Sequence, residues 1–247
     1  MQKIFPNHLD LVFHFAAHPG ISASSSFNDY LENNVIATQR LMDVLESYEK
    51  PPFVVNIATS SIYGLEATLT EDEAPLPASW YGVTKLAAEQ LVLAYARRGI
   101  VKGCSLRLYS VYGPRERPDK LYTKLIQCGL TNKPFTLFEG SEKHLRSYTY
   151  VADIVDGIVS VIGKESLCNT EIFNLGTSVE NTTAAGIAIV EELLGITIPI
   201  EHQPSRPGDQ SRTKADIAKA KNILGYAPKT TLNEGLKVQV AWCKAQL

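Results

Sequence analysis

Four short runs of apolar, β-branched and aromatic residues stand between longer stretches of helical period, and nothing else narrows the fold of this chain as far. They are Leu11 to Ala16 (LVFHFA), Phe53 to Ala58 (FVVNIA), Lys102 to Tyr109 (KGCSLRLY) and Ile172 to Leu175 (IFNL). Short runs of near-continuous apolar character are how strands covered on both faces look. Helices are expected from about Asp29 to Tyr48 and from about Ser79 to Arg98. In the second, Val83, Leu86, Ala87, Leu91, Ala94 and Tyr95 recur at three- and four-residue steps and make one apolar face. Gly99 then stands where a C-cap belongs. A β-α-β-α-β order predicts a doubly wound, parallel α/β sheet.

After Gly113-Pro114 the texture changes: proline and glycine become frequent and the strands shorten. Helices at about 153–162, 183–194 and 216–224 are separated by long connections such as 202–212. The expected organisation is a sheet lobe over residues 1–113 and, over 114–247, mainly a smaller substrate-binding lobe with some segments returning to the sheet. The 45% hydrophobic content of these 247 residues is enough for a sizeable core and excludes a disordered chain. A formal charge of −2 supplies no basic field for nucleic acid or anionic membrane, so an anion site must be built locally. Cys104, Cys128, Cys168 and Cys243 are too widely spaced to suggest a metal site and fit a reduced intracellular protein. No apolar run approaches the roughly 20 residues of a membrane span. A soluble, cytoplasmic protein without bound metal is expected.

The segment Tyr81-Gly82-Val83-Thr84-Lys85 carries the first chemical signal. Positions i and i+4 of a helix share a face, so the phenol and the ammonium can enter one site. A free phenol has a pKa near 10, and a cation beside it favours the phenolate; lowering that pKa by ~3 units corresponds to ~4 kcal/mol. Such pairs are common on exposed helices. The setting strengthens this one, because Thr59-Ser60-Ser61 lies about twenty residues earlier, at the carboxyl end of an apolar strand, where open α/β sheets bind ligands.

With these motifs the sequence resembles the extended short-chain dehydrogenase/reductases, in particular the NAD-dependent nucleotide-sugar epimerases and dehydratases, over about Leu11 to Trp242. The resemblance rests on Phe13-His14-Phe15-Ala16-Ala17, Asn34-Val35 with Thr38, Thr59 to Gly64, Tyr81 to Lys85, Leu106 to Pro114, Arg146 to Val151, Asn174-Leu175-Gly176 and Arg206-Pro207-Gly208-Asp209. It implies a Rossmann-type sheet, with Tyr81 as catalytic base and Lys85 holding the nicotinamide ribose while lowering the tyrosine pKa. Thr59 matches the family's catalytic Ser/Thr on the reacting sugar oxygen. Phe15, Ala16, Ala17, Asn34 and Tyr109 match positions at the NAD, and Ser110 a position at the substrate. Arg146 and Arg206 match arginines on the diphosphate, and Asp209 a contact to the nucleotide ribose. Two guanidinium forks suit a diphosphate on physical grounds as well.

In the family's dehydratases the Thr is followed by an Asp-Glu pair, and the decarboxylases carry a Glu two residues on; here Ser60 and Ser61 stand there. The resemblance therefore implies simple 4-epimerisation of a UDP-sugar. The segment Tyr112 to Asp119 looks most like 4-epimerases of UDP-glucose or UDP-glucuronate, between which the choice stays open. A dehydratase, reductase or decarboxylase of the same family, or a non-catalytic nucleotide-sugar-binding remnant, are the alternatives. Family members commonly dimerise through two helices of each subunit, and the Ser79 to Arg98 helix and the one before it are the candidates. The family's opening GxxGxxG turn, which cradles the NAD pyrophosphate, is missing from this sequence. An amino-terminally truncated sheet with exposed edges and weak NAD binding is expected of a polypeptide limited to these residues.

Overall fold

The computed structural model describes Pro6 and residues 8–21, 24–205 and 210–246. The central sheet is four-stranded and parallel, in the order β1 (Leu11–His14), β2 (Phe53–Thr59), β4 (Gly103–Leu108), β9 (Ile172–Leu175). All seven residues of β2 are buried because helices cover both of its faces. Val54 points into a layer with Met42, Leu45, Val92 and Val101, while Val55 and Ile57 join Leu106, Phe173, Ile154, Ile158 and Leu224 on the opposite face. The first layer is made by α2 (Ala37–Glu46) and α3 (Trp80–Arg97), the second by α5 (Val151–Val159), α6 (Glu165–Cys168) and α8 (Ala218–Leu224). Thus segments beyond Pro114 return to the sheet.

The remaining strands are short. β3 (Glu66–Ala67), β7 (Leu145–Arg146), β10 (Asn181–Thr182) and β12 (Arg212–Thr213) form a second four-stranded sheet in the order β10-β7-β12-β3. β5 (Val111–Tyr112) pairs with β8 (Thr149–Tyr150), and β6 (Phe135–Phe138) with β11 (Ile200–Gln203). Around them α4 (Leu121–Leu130), α7 (Thr183–Leu194) and α9 (Leu232–Lys244) enclose a second core containing Tyr122, Leu125, Phe135, Val190, Leu236 and Val240.

Three departures from the sequence expectations have physical causes. Strand β1 ends at His14, so Phe15 and Ala16 leave the ladder, and Phe15 is 57% exposed at the sheet edge. The first crossover helix begins before Asp29, with α1 (Phe27–Tyr30), because Ser26 and Asp29 form a reciprocal capping box; it continues through a π-helical segment, Leu31–Ile36, into α2. The face of α3 that packs on the sheet is not the apolar one singled out above. It consists of Gly82, Thr84, Lys85, Ala88, Glu89, Val92, Leu93 and Ala96, whereas Val83 and Ala94 are exposed. Three of those eight are polar, and each has a partner on another element, which cancels the cost of burying it.

Candidate active site

Thr59 closes β2 at the carboxyl end of the sheet and caps a 3-10 turn, Ser60–Tyr63, accepting from the Ser61 amide at 3.2 Å. Helix α3 begins just beside this turn, with the Ser79 hydroxyl accepting from Gly82 N at 3.1 Å. Gly82 permits the approach: a Cβ there would stand 2.5 Å from the Ser61 carbonyl oxygen. The close packing brings the Tyr81 phenol within electrostatic reach of Thr59, which favours its ionised form. One turn on, Lys85 is 4% exposed and donates from Nζ to the Ile57 carbonyl at 2.6 Å. Thr59, Tyr81 and Lys85 are therefore gathered at one end of β2.

The electrostatics differ from the sequence expectation. Burial pushes the Tyr81 phenol above its ordinary range, and this outweighs the stabilising pull of Thr59, the Gly20 backbone and the Arg117 charge. One of the Lys85 N–H groups is held by the Ile57 carbonyl. Desolvation brings Lys85 itself down to about 8, with Glu89 opposing that fall.

A hydrogen-bond chain backs the site. His14 Nε2 bonds Thr38 Oγ1 at 2.8 Å, and Thr38 spends its own proton on the Asn34 carbonyl at 2.6 Å, so His14 must be the donor and carry its proton on Nε2. Burial, with a contribution from the Lys85 charge, lowers His14 to about 4 and keeps it neutral. Asn34 lies in the π-helical segment, a distortion frequent at functional sites. Its amide donates to Thr84 on α3 at 3.0 Å and accepts from His18 N at 2.7 Å. The Asn34 side chain thus ties the β1 loop to α3 rather than reaching into open space.

The other expected positions are spread around this centre. Phe15 and Ala16 are exposed beyond β1, and Ala17 is partly so. Tyr109, just past β4, is enclosed by Tyr63, Ala67 and Ala215, with a hydroxyl that has no protein partner. Ser110 is partly exposed, and its carbonyl accepts from Thr149 N at 2.9 Å. Arg146 lies on β7 in the second four-stranded sheet. Arg206 and Asp209, with Pro207 and Gly208 between them, lie outside the described residues. Among the described residues no cluster of His, Cys, Asp and Glu is arranged to hold a metal ion.

Sequence reasoning missed Arg117. From the loop after β5 its Nη1 donates to the Pro19 carbonyl at 3.2 Å and its Nη2 pairs with Asp119 at 2.9 Å. Its charge reaches Tyr81 and also Lys120, whose ammonium is lowered first by burial, then by Arg117, with Arg146 contributing. Arg117 thus acts electrostatically on both Tyr81 and Lys120, and Arg146 on Lys120. The signal available in the sequence was the cation spacing within Arg115 to Lys120.

The sequence profile of the NAD dependent epimerase/dehydratase family matches residues 1–176. An uncharacterized UDP-glucose epimerase of Bacillus subtilis (strain 168), YtcB, is 36% identical over 237 residues, which span 95% of this chain and 74% of that one. Among solved structures, UDP-glucuronic acid 4-epimerase from Bacillus cereus, in complex with UDP-glucuronic acid and NAD, superposes with a TM-score of 0.92 at 34% identity, covering 97% of this chain and 76% of that one. UDP-glucose 4-epimerase of Thermotoga maritima with UDP-glucose gives a TM-score of 0.87 at 28% identity, over 96% and 77% of the two chains.

Proposed function

This chain belongs to the NAD-dependent epimerase/dehydratase family, and from that premise we propose that it interconverts 4-epimers of a UDP-sugar, UDP-glucuronate or UDP-glucose. The observation that carries the reading is the triad of Thr59, Tyr81 and Lys85 followed by two hydroxyls, Ser60 and Ser61, and no carboxylate. Dehydration needs an additional acid and base; epimerisation needs one group that takes a proton and gives it back.

The residues present fit the nicotinamide end of NAD. Lys85 keeps two further N–H donors beyond the one given to Ile57, Tyr81 stands one turn earlier on the same helix, and Phe15 and Ala16 are exposed at the end of β1. When bound, NAD supplies the acceptor that takes hydride from the sugar C4 and later returns it. Tyr81 would take the proton of the sugar 4-hydroxyl and Thr59 would donate to the reacting oxygen; once the 4-keto sugar had turned, Tyr81 would give the proton back to the same oxygen. Lys85 holds the nicotinamide ribose and steadies the tyrosinate, while Asn34 keeps loop and helix in register. Arg117, Lys120, Arg146 and Arg206 hold the diphosphate while the sugar rotates; Asp209 takes the uridine ribose and Ser110 borders the sugar. The Arg117 charge beside Tyr81 favours the acidic sugar of the two candidates.

A homodimer is part of the same proposal. Trp80 is 57% and Val83 43% exposed on α3, and with Ala87, Leu91 and Ala94 they make an apolar stripe that the sheet does not use. Among the described residues no helix is long and apolar enough to cross a membrane. The four cysteines are unpaired, which favours the reducing cytoplasm, where UDP-sugars feed polysaccharide synthesis. Incubation with NAD and UDP-glucose, UDP-galactose or UDP-glucuronate, followed by separation of the sugars, should show 4-epimers whose formation Tyr81→Phe abolishes. Accumulation of a 4-keto-6-deoxy sugar or of a decarboxylated pentose would refute the epimerase.

A further inference from the structure

A buried polar seam runs from Lys85 across the sheet. Glu89, one turn after Lys85 on α3, is fully buried and receives the Arg107 fork, Nε at 2.9 Å and Nη2 at 2.6 Å, together with the Ser105 hydroxyl at 3.0 Å. Arg107 is 2% exposed on β4, and its Nη1 donates to the Tyr63 hydroxyl at 2.7 Å. Tyr63, the last residue of the turn that Thr59 caps, donates onward to Asn174 Oδ1 on β9 at 2.8 Å. One ion pair therefore touches α3, β4 and the Ser60–Tyr63 turn. Burying such a pair for stability alone is poor economy, since apolar residues of similar volume do as well or better.

We propose that Glu89 and Arg107 are positioning residues for the reaction centre: the pair fixes α3 and the Thr59 turn against the sheet, and the Glu89 carboxylate is the counter-charge that keeps Lys85 an ammonium. The second part rests on the groups around Lys85. Glu89 faces it from its own helix, on which Tyr81 stands one turn earlier, and His14 from β1; β2 offers the Ile57 carbonyl, and from β4 Arg107 acts through Glu89. His14 is neutral above about pH 4, and burial keeps Tyr81 protonated in the resting protein, so Glu89 supplies the nearby negative charge. Its influence on Lys85 is upward, against desolvation. This assignment extends the epimerase reading, in which Lys85 must be charged to steady the tyrosinate.

The test follows the Lys85 ammonium without substrate or NAD, so it stands whatever becomes of the epimerase reading. In protein labelled with 15N-lysine, the Nζ resonance of Lys85, identified by its loss in Lys85→Met, is titrated in wild type, Glu89→Gln and Glu89→Asp. A midpoint lowered by about one pH unit in Glu89→Gln, and near wild type in Glu89→Asp, which keeps the charge while shortening the arm, is expected. An unchanged midpoint in a folded Glu89→Gln overturns the proposal and leaves the pair purely structural. Should Glu89→Gln not fold, Glu89→Gln/Arg107→Met, which buries no lone charge, carries the same titration: a lowered midpoint supports the assignment and an unchanged one overturns it. In the epimerase assay Glu89→Gln should lose about tenfold in kcat with KM within twofold, and its alkaline limb should move to lower pH. A kcat loss without movement of that limb contradicts the counter-charge role.

Discussion

Acidification should unfold this protein partly through one histidine. His14 ordinarily titrates at 6.5, but folding depresses it to about 4, because its ring is 6% exposed and faces the Lys85 charge. Between those values the unfolded chain binds a proton that the folded chain refuses, so stability is intact above pH 6.5 and declines as the pH falls toward 4. The gap of about 2.5 pH units, at about 1.4 kcal/mol each, makes the full contribution about 3 kcal/mol. His14→Gln keeps an N–H that can donate to Thr38 and removes the titration. Urea unfolding of both proteins between pH 7.5 and 4 isolates the term, since every other group is common to the two. Wild type should lose about 3 kcal/mol more than the variant over that span; parallel losses within about 0.5 kcal/mol would refute a neutral, proton-refusing His14.

Gly82→Ala should cost about 2 kcal/mol in thermal or denaturant unfolding and lower kcat well over tenfold, because the new methyl meets the Ser61 carbonyl and separates α3 from the Thr59 turn. Arg117→Gln removes a charge that favours the Tyr81 phenolate, so the acid limb of the kcat profile should move up by about half a pH unit or more, and turnover of UDP-glucuronate should suffer more than that of UDP-glucose. Trp80→Glu places a charge in the exposed α3 stripe and should halve the mass seen by light scattering while the thermal midpoint stays within a few degrees; an unchanged mass would remove the stripe as the dimer contact.

The parts of the fold readable in the sequence are those decided locally. Strand β9 and helix α7 keep their expected bounds, and α3 starts where Ser79 offers a hydroxyl to the Gly82 amide. The earlier start of α1 was equally readable, since Ser26-x-x-Asp29 is the capping-box pattern and had only to be noticed. The buried face of α3 was not. Its apolar residues lie all around the helix, and Thr84, Lys85 and Glu89 go inward only because Asn34, Ile57 and Arg107 await them from elements distant in sequence. The spacing of Thr59, Tyr81 and Lys85 suggested one site, and the structure gathers the three at one end of β2. The direction of the Tyr81 shift needed burial, which no spacing reports, and Arg117 needed the loop that folds back onto Pro19.

The most direct measurement concerns the fate of one hydrogen. UDP-glucuronate and UDP-glucose deuterated at C4, incubated with the protein and NAD in ordinary water, should give the 4-epimer with the deuterium still at C4, as the proposed return of the same hydrogen requires. Tyr81→Phe should reduce that conversion by about a thousandfold or more, a loss of roughly 4 kcal/mol in the barrier. Epimer formed with the deuterium washed out, or conversion undiminished in Tyr81→Phe, would contradict a reaction in which Tyr81 moves the proton and C4 recovers its own hydrogen.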